Sequence, residues 1–320
     1  GRPRHHAQAA RNHRVGVSVA RKSRTWPPEG EPLPYPVMDN HTHLPMHEGE
    51  IPRADGFRMP LDEQLARARD VNVTSLITVG CEVPDWEPTL QLAHEHPQVR
   101  VALAIHPNEA ALHAGHLEKS PDGYDHEILP HHVPLIEALS HLSGLLDDPK
   151  VVAVGETGLD YFRTAEPGRE AQRESFSAHL ELARIHNLPV QVHDRDAHGD
   201  CVRLLEADAS RNQPIVFHSF SGDAEMAREV ASRDWVASFS GMLTFPANAH
   251  LREALLEMPR ELVLVETDAP YLTPVPHRGD PNASYSMIYT VRAIAELWEV
   301  ADDVACATLM ANSRRLYGTW

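Results

Sequence analysis

Residues 73–105, VTSLITVGCEVPDWEPTLQLAHEHPQVRVALAI, carry the reading of the fold. They begin and end on short apolar runs, 73–79 and 99–105, with a helical pattern near 86–96 between them. Runs this apolar suit strands buried on both faces, and an intervening helix is the crossover that parallel strands need. The same unit recurs along the chain. Further strands are predicted at 37–42 (VMDNHT), 151–154 (VVAV), 190–193 (VQVH), 215–218 (IVFH), 235–239 (WVASF) and 262–266 (LVLVE). Helical patterns lie near 62–70, 131–146, 170–187, 197–208, 223–232 and 248–257, and two more, 284–298 and 302–316, close the chain. Eight such strands predict an α/β fold, a single-domain TIM-type (β/α)8 barrel over residues 37–320. An open doubly wound sheet is the alternative. It lacks its fingerprint, because neither GxGxxG nor GxxxxGK[ST] occurs. The connection 107–130 is long and rich in His, Asp, Gly and Pro, and reads as a surface insertion or a rim loop.

Composition narrows the function. Of 320 residues, 42% are hydrophobic, enough for a sizeable core, and no run of 18 apolar residues marks a membrane span. Cys81, Cys201 and Cys306 are far apart and form no CxxC. That excludes a disulfide framework and a thiolate zinc site, and points to a reducing, cytoplasmic setting. The net charge of −17 excludes a broad basic face for duplex DNA. Residues 1–25 run the other way, with seven basic residues and no acidic one. The segment 1–36 has no apolar period, contains WPPEGEPLPYP, and is expected to be a disordered arm and Pro-rich linker.

The polar residues gather where a barrel places its chemistry, at the C-terminal ends of the strands. Strand 1 ends in Asp39-Asn40-His41-Thr42-His43, strand 3 in His106-Pro107 and strand 4 in Gly155-Glu156. Strand 5 ends in His193-Asp194-Arg195, strand 6 in His218-Ser219 and strand 8 in Glu266-Thr267-Asp268. With 22 histidines an HxH arises by chance. His94 and His96 are such a pair, on a helix where i and i+2 diverge, and read as surface residues. His41 and His43 lie on a strand, where i and i+2 point the same way. His41, His43, Glu156, His193, His218 and Asp268 can thus face one rim as metal ligands. Four imidazoles and two carboxylates without thiols suit two divalent cations such as zinc, manganese or magnesium. Two such cations about 3.5–4 Å apart, bridged by one carboxylate, do hydrolysis. Of three lysines only Lys150 is near, and it precedes strand 4. Glu156 is therefore read as the bridge.

DNHTHL, GETGLDYF, VQVHDRDAH, FHSFSGD and VETDAPYLTP, in that order, resemble the signature blocks of the TatD family of metal-dependent deoxyribonucleases. The resemblance covers about residues 37–318. It implies a barrel hydrolase cleaving phosphodiester bonds, with DNA single strands or ends as substrate. It also implies that His41, His43, Glu156 and Asp268 hold one cation and that Glu156, His193 and His218 hold a second. By the same resemblance Asp268 and Glu156 are catalytic, and His106 touches the scissile phosphate. Arg195, Arg278 and Asn282 match substrate contacts. The chain departs from the family at Asn108-Glu109, where a histidine is often found, and at Pro276-His277-Arg278-Gly279-Asp280-Pro281-Asn282, where a lysine is missing. Tyr161, Phe162, Phe220 and Tyr271 are candidates for base stacking or for packing at the barrel mouth. A related hydrolase of a small ester, lactone or amide would use the same barrel. A non-enzymatic nucleic-acid scaffold would be marked by a broken ligand set, and this set is complete. The oligomeric state is left open by the sequence.

Overall fold

A computed structural model describes residues 24–320, and the expectation of a disordered arm over residues 1–23 lies outside the described residues. Eight parallel strands follow one another around the sheet in chain order. They are β1 (Val37–Thr42), β2 (Val73–Gly80), β3 (Val99–Leu103), β4 (Val151–Asp160), β5 (Val190–Arg195), β6 (Ile215–Phe217), β7 (Val236–Phe239) and β8 (Val263–Val265). Val, Ile and Leu dominate them because both faces are buried. Inside the barrel, Met38, Ile77, Val79, Ala102, Ala153, Val216, Val236 and Leu264 pack with Met310 and Tyr317 of the final helix. Outside it, a larger layer joins the sheet to the helices, with Trp86, Phe176 and Tyr285 fully buried. The described chain is thus the expected single (β/α)8 barrel.

β1 and β8 do not pair as a ladder. The seam between them is closed just beyond the strands. Asp268 N–H donates to His41 O (2.9 Å), His43 N–H donates to Ala269 O (2.8 Å), and the Asn40 side chain donates to Val265 O (2.8 Å). Residues of the proposed site therefore complete the barrel.

Three segments differ from the sequence reading. β4 runs on to Asp160 instead of stopping near 154. The connection after β3 contains a short helix, α1 (Pro107–His113), with His106 as its N-cap and Pro107 in its first turn. Residues 24–36, read as arm and linker, lie on the barrel. Trp26 is buried, its indole N–H donates to Phe57 O (3.2 Å), and Pro27 O accepts from the Tyr285 hydroxyl (2.7 Å). Composition hides this, because one Trp among prolines and charges has no period. Among the described residues no helix is long and apolar enough to cross a membrane, and all three cysteines are free.

Candidate metal centre

Two bulges aim the site. Between Gly155 and Thr157 the pairing of β4 with β5 slips, leaving Glu156 as an extra residue inside the strand rather than beyond its end. A bulge of this kind redirects a side chain. The flanking glycines permit it. A Cβ on Gly155 would stand 2.5 Å from Gln191 Cβ, and one on Gly158 (φ +141°) would stand 2.0 Å from His193 O. β1 slips in the same way between Asp39 and Thr42. As a result the consecutive side chains of Asn40 and His41 both reach Gln191. His43 lies just past the strand, two residues beyond His41, and the two ring centroids are 5.4 Å apart.

The six expected ligand residues converge. Glu156 is buried, and its two oxygens face different neighbours. Oε2 faces His41 Nε2 (3.2 Å) and His43 Nε2 (3.8 Å). Oε1 faces His193 Nδ1 (2.8 Å), His218 Nε2 (3.2 Å) and His106 Nε2 (3.4 Å). Asp268 Oδ1 joins the first group, 3.1 Å from His43 Nε2 and 3.5 Å from His41 Nε2. Two donor groups of metal-binding size share Glu156, one with His41 and His43 and one with His106 and His193, and a third joins His218 to His41, Glu266 and Asp268. The Cys81 thiol, which sequence reasoning did not place here, donates to Glu156 Oε2 (3.6 Å).

Hydrogen-bond bookkeeping separates ligands from donors. An imidazole can ligate a cation through one nitrogen only if its proton sits on the other, and that proton wants an acceptor. His41 Nδ1 meets Gln191 Oε1 (2.8 Å), His193 Nε2 meets Asp160 Oδ2 (2.9 Å), and His218 Nδ1 meets Glu266 Oε2 (3.0 Å). All three partners accept, so each ring, once neutral, turns the lone pair of its remaining nitrogen into the site. His106 is the opposite case. The Asn108 amide donates to its Nδ1 (3.1 Å). The proton of neutral His106 is then on Nε2, which points at Glu156 as a donor. His106 is thus a hydrogen-bond donor to the site, not a ligand.

Charge follows the same geometry. Burial would raise the Glu156 carboxyl. Charge from His218 and hydrogen bonds from His106, His193 and His218 instead hold it well below the ordinary range. Burial would lower His193, but Asp160 and Glu156 outweigh it and raise it to about 9. His218 is raised well above its usual value against burial, through Glu156 and Glu266. Burial would raise Asp268, but the hydrogen bond from His43 and the charge of His218, His43 and His41 together hold it low. Without cations the centre holds its negative charge against protonated imidazoles, and cations must replace those protons.

Asp160, Glu266 and Gln191 were missed as site residues. Glu266 ends the quoted strand LVLVE and Asp160 lies within the block GETGLDYF, and a buried carboxylate must be paired. Gln191 interrupts VQV with one polar group, which is a signal of the same kind. Asp160 also accepts from the Phe162 and Arg163 amides and from Asn108 Nδ2, so it is fixed on four sides.

The remaining candidates are spread around the rim. The Arg195 guanidinium lies 3.8 Å from the Phe162 ring centroid, and Arg278 lies 3.8 Å from that of Phe245. Asn282, expected at a substrate contact, is buried, and its Nδ2 donates to Tyr271 O (2.7 Å) and Thr267 O (3.3 Å). Its donors are spent on the loop after β8. Phe220 is core, packed on Phe239, whereas Tyr271 stands edge-on to His43 at 5.8 Å. His94 pairs with Asp148 at the surface (2.8 Å), as its helical spacing implied.

A second histidine cluster lies under the 107–134 insertion. His132 Nε2 meets Glu109 Oε2 (2.7 Å), and His131 Nε2 stands 3.6 Å from Glu109 Oε1. Its donor set is of metal-binding size too. The Leu129 amide, however, donates to His132 Nδ1 (2.8 Å), which places the His132 proton on Nε2, facing Glu109. The same bookkeeping therefore reads this cluster as a latch.

The family described as "TatD related DNase" matches residues 38–318. A metal-dependent hydrolase named TatD from Mycobacterium tuberculosis is 35% identical over 288 residues, 88% of this chain and 98% of that protein. The metal-dependent hydrolase YabD of Bacillus subtilis is 30% identical over 281 residues, with the same coverage. The crystal structure of YjjV, a TatD homolog from Escherichia coli, superposes with a TM-score of 0.72 at 27% identity, covering 89% of this chain and 98% of that one. A barrel whose strand ends bring four histidines and two carboxylates to one mouth, matched over nearly its whole described length, belongs to the TatD family of metal-dependent hydrolases.

Proposed function

We propose that the chain is a two-cation phosphodiesterase of the deoxyribonuclease type, acting on DNA single strands or ends. The observation that supports it best is the split of the Glu156 carboxylate, with Oε2 toward His41 and His43 and Oε1 toward His193 and His218. The donor set fits divalent cations, because His41, His193 and His218 each have an acceptor on the outer nitrogen and a lone pair inward. In this reading His41, His43, Glu156 and Asp268 hold one cation, and Glu156, His193 and His218 hold the other. Bound there, zinc, manganese or magnesium would polarise a phosphoryl oxygen and lower the pKa of water.

The side chains do the rest. Asp268, kept ionised by His43, is the acceptor for a proton from the attacking water. His106 offers its Nε2–H to a phosphoryl oxygen as charge builds there. Arg195 and Arg278, each laid on a phenylalanine ring, are the cations proposed to hold the strand backbone. Bound cations would make the mouth locally positive and let it accept a strand end although the whole chain carries −17.

The test is a substrate panel on protein stripped with EDTA and reloaded with Mn²⁺, Mg²⁺ or Zn²⁺. Cleavage of a single-stranded oligonucleotide that returns only with cation is the expected result. Turnover confined to a small ester, lactone or amide would replace the nuclease reading with the alternative hydrolase. Undiminished cleavage by metal-free protein would overturn the cation reading itself.

A further inference from the structure

Beneath the centre, along the barrel interior, four polar side chains stand among apolar ones. Asn40, Gln191 and Tyr317 are buried with His41, and every polar atom of the three side chains is engaged. The direction of each bond can be read from two groups that only accept. Asn40 Nδ2 donates to the Val265 carbonyl (2.8 Å) and to Ser238 Oγ (2.9 Å), so its Oδ1 must be the oxygen that faces Tyr317. The Tyr317 hydroxyl donates to that Oδ1 (3.0 Å). Gln191 Nε2 donates to the Asn40 carbonyl (2.7 Å) and to the Tyr317 oxygen (3.1 Å), which uses both of its hydrogens. Gln191 Oε1 is then the only end left for His41, and it accepts from Nδ1–H at 2.8 Å. Amide orientation is usually ambiguous, but here a backbone carbonyl at each amide removes the ambiguity.

We infer that Asn40, Tyr317 and Gln191 form a one-way hydrogen-bond chain that fixes the His41 proton on Nδ1. They are positioning residues that hold the His41 Nε2 lone pair toward Glu156 and Asp268 for cation capture. The cation part rests on the reading of His41 as a ligand. A flipped Gln191 amide would present N–H to Nδ1, move the proton to Nε2, and aim a donor at the site. The chain forbids that flip, because a flipped amide would set its oxygen against the Asn40 carbonyl.

The test has two readouts on metal-free protein labelled with [15N]histidine. Imidazole 15N shifts report the tautomer, with the His41 signal identified by its loss in His41→Gln. Calorimetric titration with Zn²⁺ reports capture. His41 Nδ1 is expected to carry a proton in wild type, with or without a second one on Nε2 facing Glu156. Gln191→Leu should lose that preference and weaken Zn²⁺ binding on the order of 10- to 100-fold, the usual effect of losing an outer hydrogen-bond partner. Tyr317→Phe keeps the ring and its packing, so it answers the question should Gln191→Leu fail to fold. It should shift the tautomer balance the same way, by less, since Gln191 still holds the Asn40 carbonyl. An Nε2–H tautomer in wild type, or a tautomer unmoved in both Gln191→Leu and Tyr317→Phe, overturns the chain. Zn²⁺ binding that falls in His41→Gln but not in Gln191→Leu overturns the positioning role. Zn²⁺ binding unchanged in His41→Gln overturns the ligand reading and the capture role with it, while the NMR result still decides the chain.

Discussion

Glu156 and Glu109 are both buried carboxylates ringed by imidazoles, and both rings are small enough to hold a cation. They differ in what stands behind the histidines. Behind His41, His193 and His218 are acceptors, namely Gln191, Asp160 and Glu266. Behind His132 is a donor, the Leu129 amide, and behind His106 is another, the Asn108 amide. In a neutral ring the first arrangement points a lone pair inward and the second points a proton inward. Residue type and spacing say only that a metal could be held, whereas the outward hydrogen bond says which way each ring is charged to act.

The sharpest way to break this comparison is Glu156→Gln. It keeps the shape but turns one acceptor oxygen into an NH₂ that cannot ligate. Reconstituted protein should lose at least one cation and most turnover, on the order of 10²-fold or more. Metal analysis, far-UV circular dichroism and rate on one preparation decide it. Full occupancy with a near-normal rate would sink the bridging role.

A second probe separates ligand from donor inside one site. His218→Gln should cost a cation. His106→Leu should keep both cations and still lose roughly 10²-fold in rate, because only a donated proton is missing. Equal cation loss in the two variants would show that the outward bond of His106 does not set its role.

The third acts at the other cluster. Glu109→Gln should leave cation number and turnover unchanged and lower stability by about 1–3 kcal/mol, since a buried hydrogen-bonded charge is removed. The pH dependence carries a sign. Burial pushes the Glu109 carboxyl up, but His131 and His132 more than offset it and hold it at about 2, against 4.5 ordinarily. A carboxyl depressed by folding adds stability above its unfolded value and loses it as pH falls toward the folded one. In urea melts the gap between wild type and variant should be complete above about pH 5 and should shrink from there toward pH 2. A cation released by Glu109→Gln would make the latch a metal site after all.

Much of this was legible beforehand. Eight apolar runs gave the barrel, and the polar residues at their ends gave the rim. What was not legible were the two bulges. Simple alternation puts Asn40 and His41 on opposite faces, yet a slip in β1 brings both to Gln191. A slip in β4 likewise keeps Glu156 inside a strand that runs six residues past the expected end at 154. Slips come from pairing between strands distant in sequence, which a local pattern does not encode. The residues behind the histidines were visible as polar letters in apolar strands, but their hydrogen-bond direction exists only in three dimensions. Trp26 was hidden because its partners, Asp55 and Phe57, lie about thirty residues away.

The seam between β1 and β8 has a consequence for the order of folding. Its bonds join residues near 41 to residues near 268, and Tyr317 reaches Asn40 across 277 positions. Contacts this distant in sequence form late and slowly, after most of the loop entropy has been spent. A chain emerging from the ribosome makes the imidazoles of its first strand long before it makes the carboxylate and the phenol that orient them. The nascent molecule carries its histidines as solvated side chains, and the centre is assembled only when the last turn of the last helix arrives. The phenol that completes the hydrogen-bond chain behind His41 is thereby among the last groups of the centre to arrive.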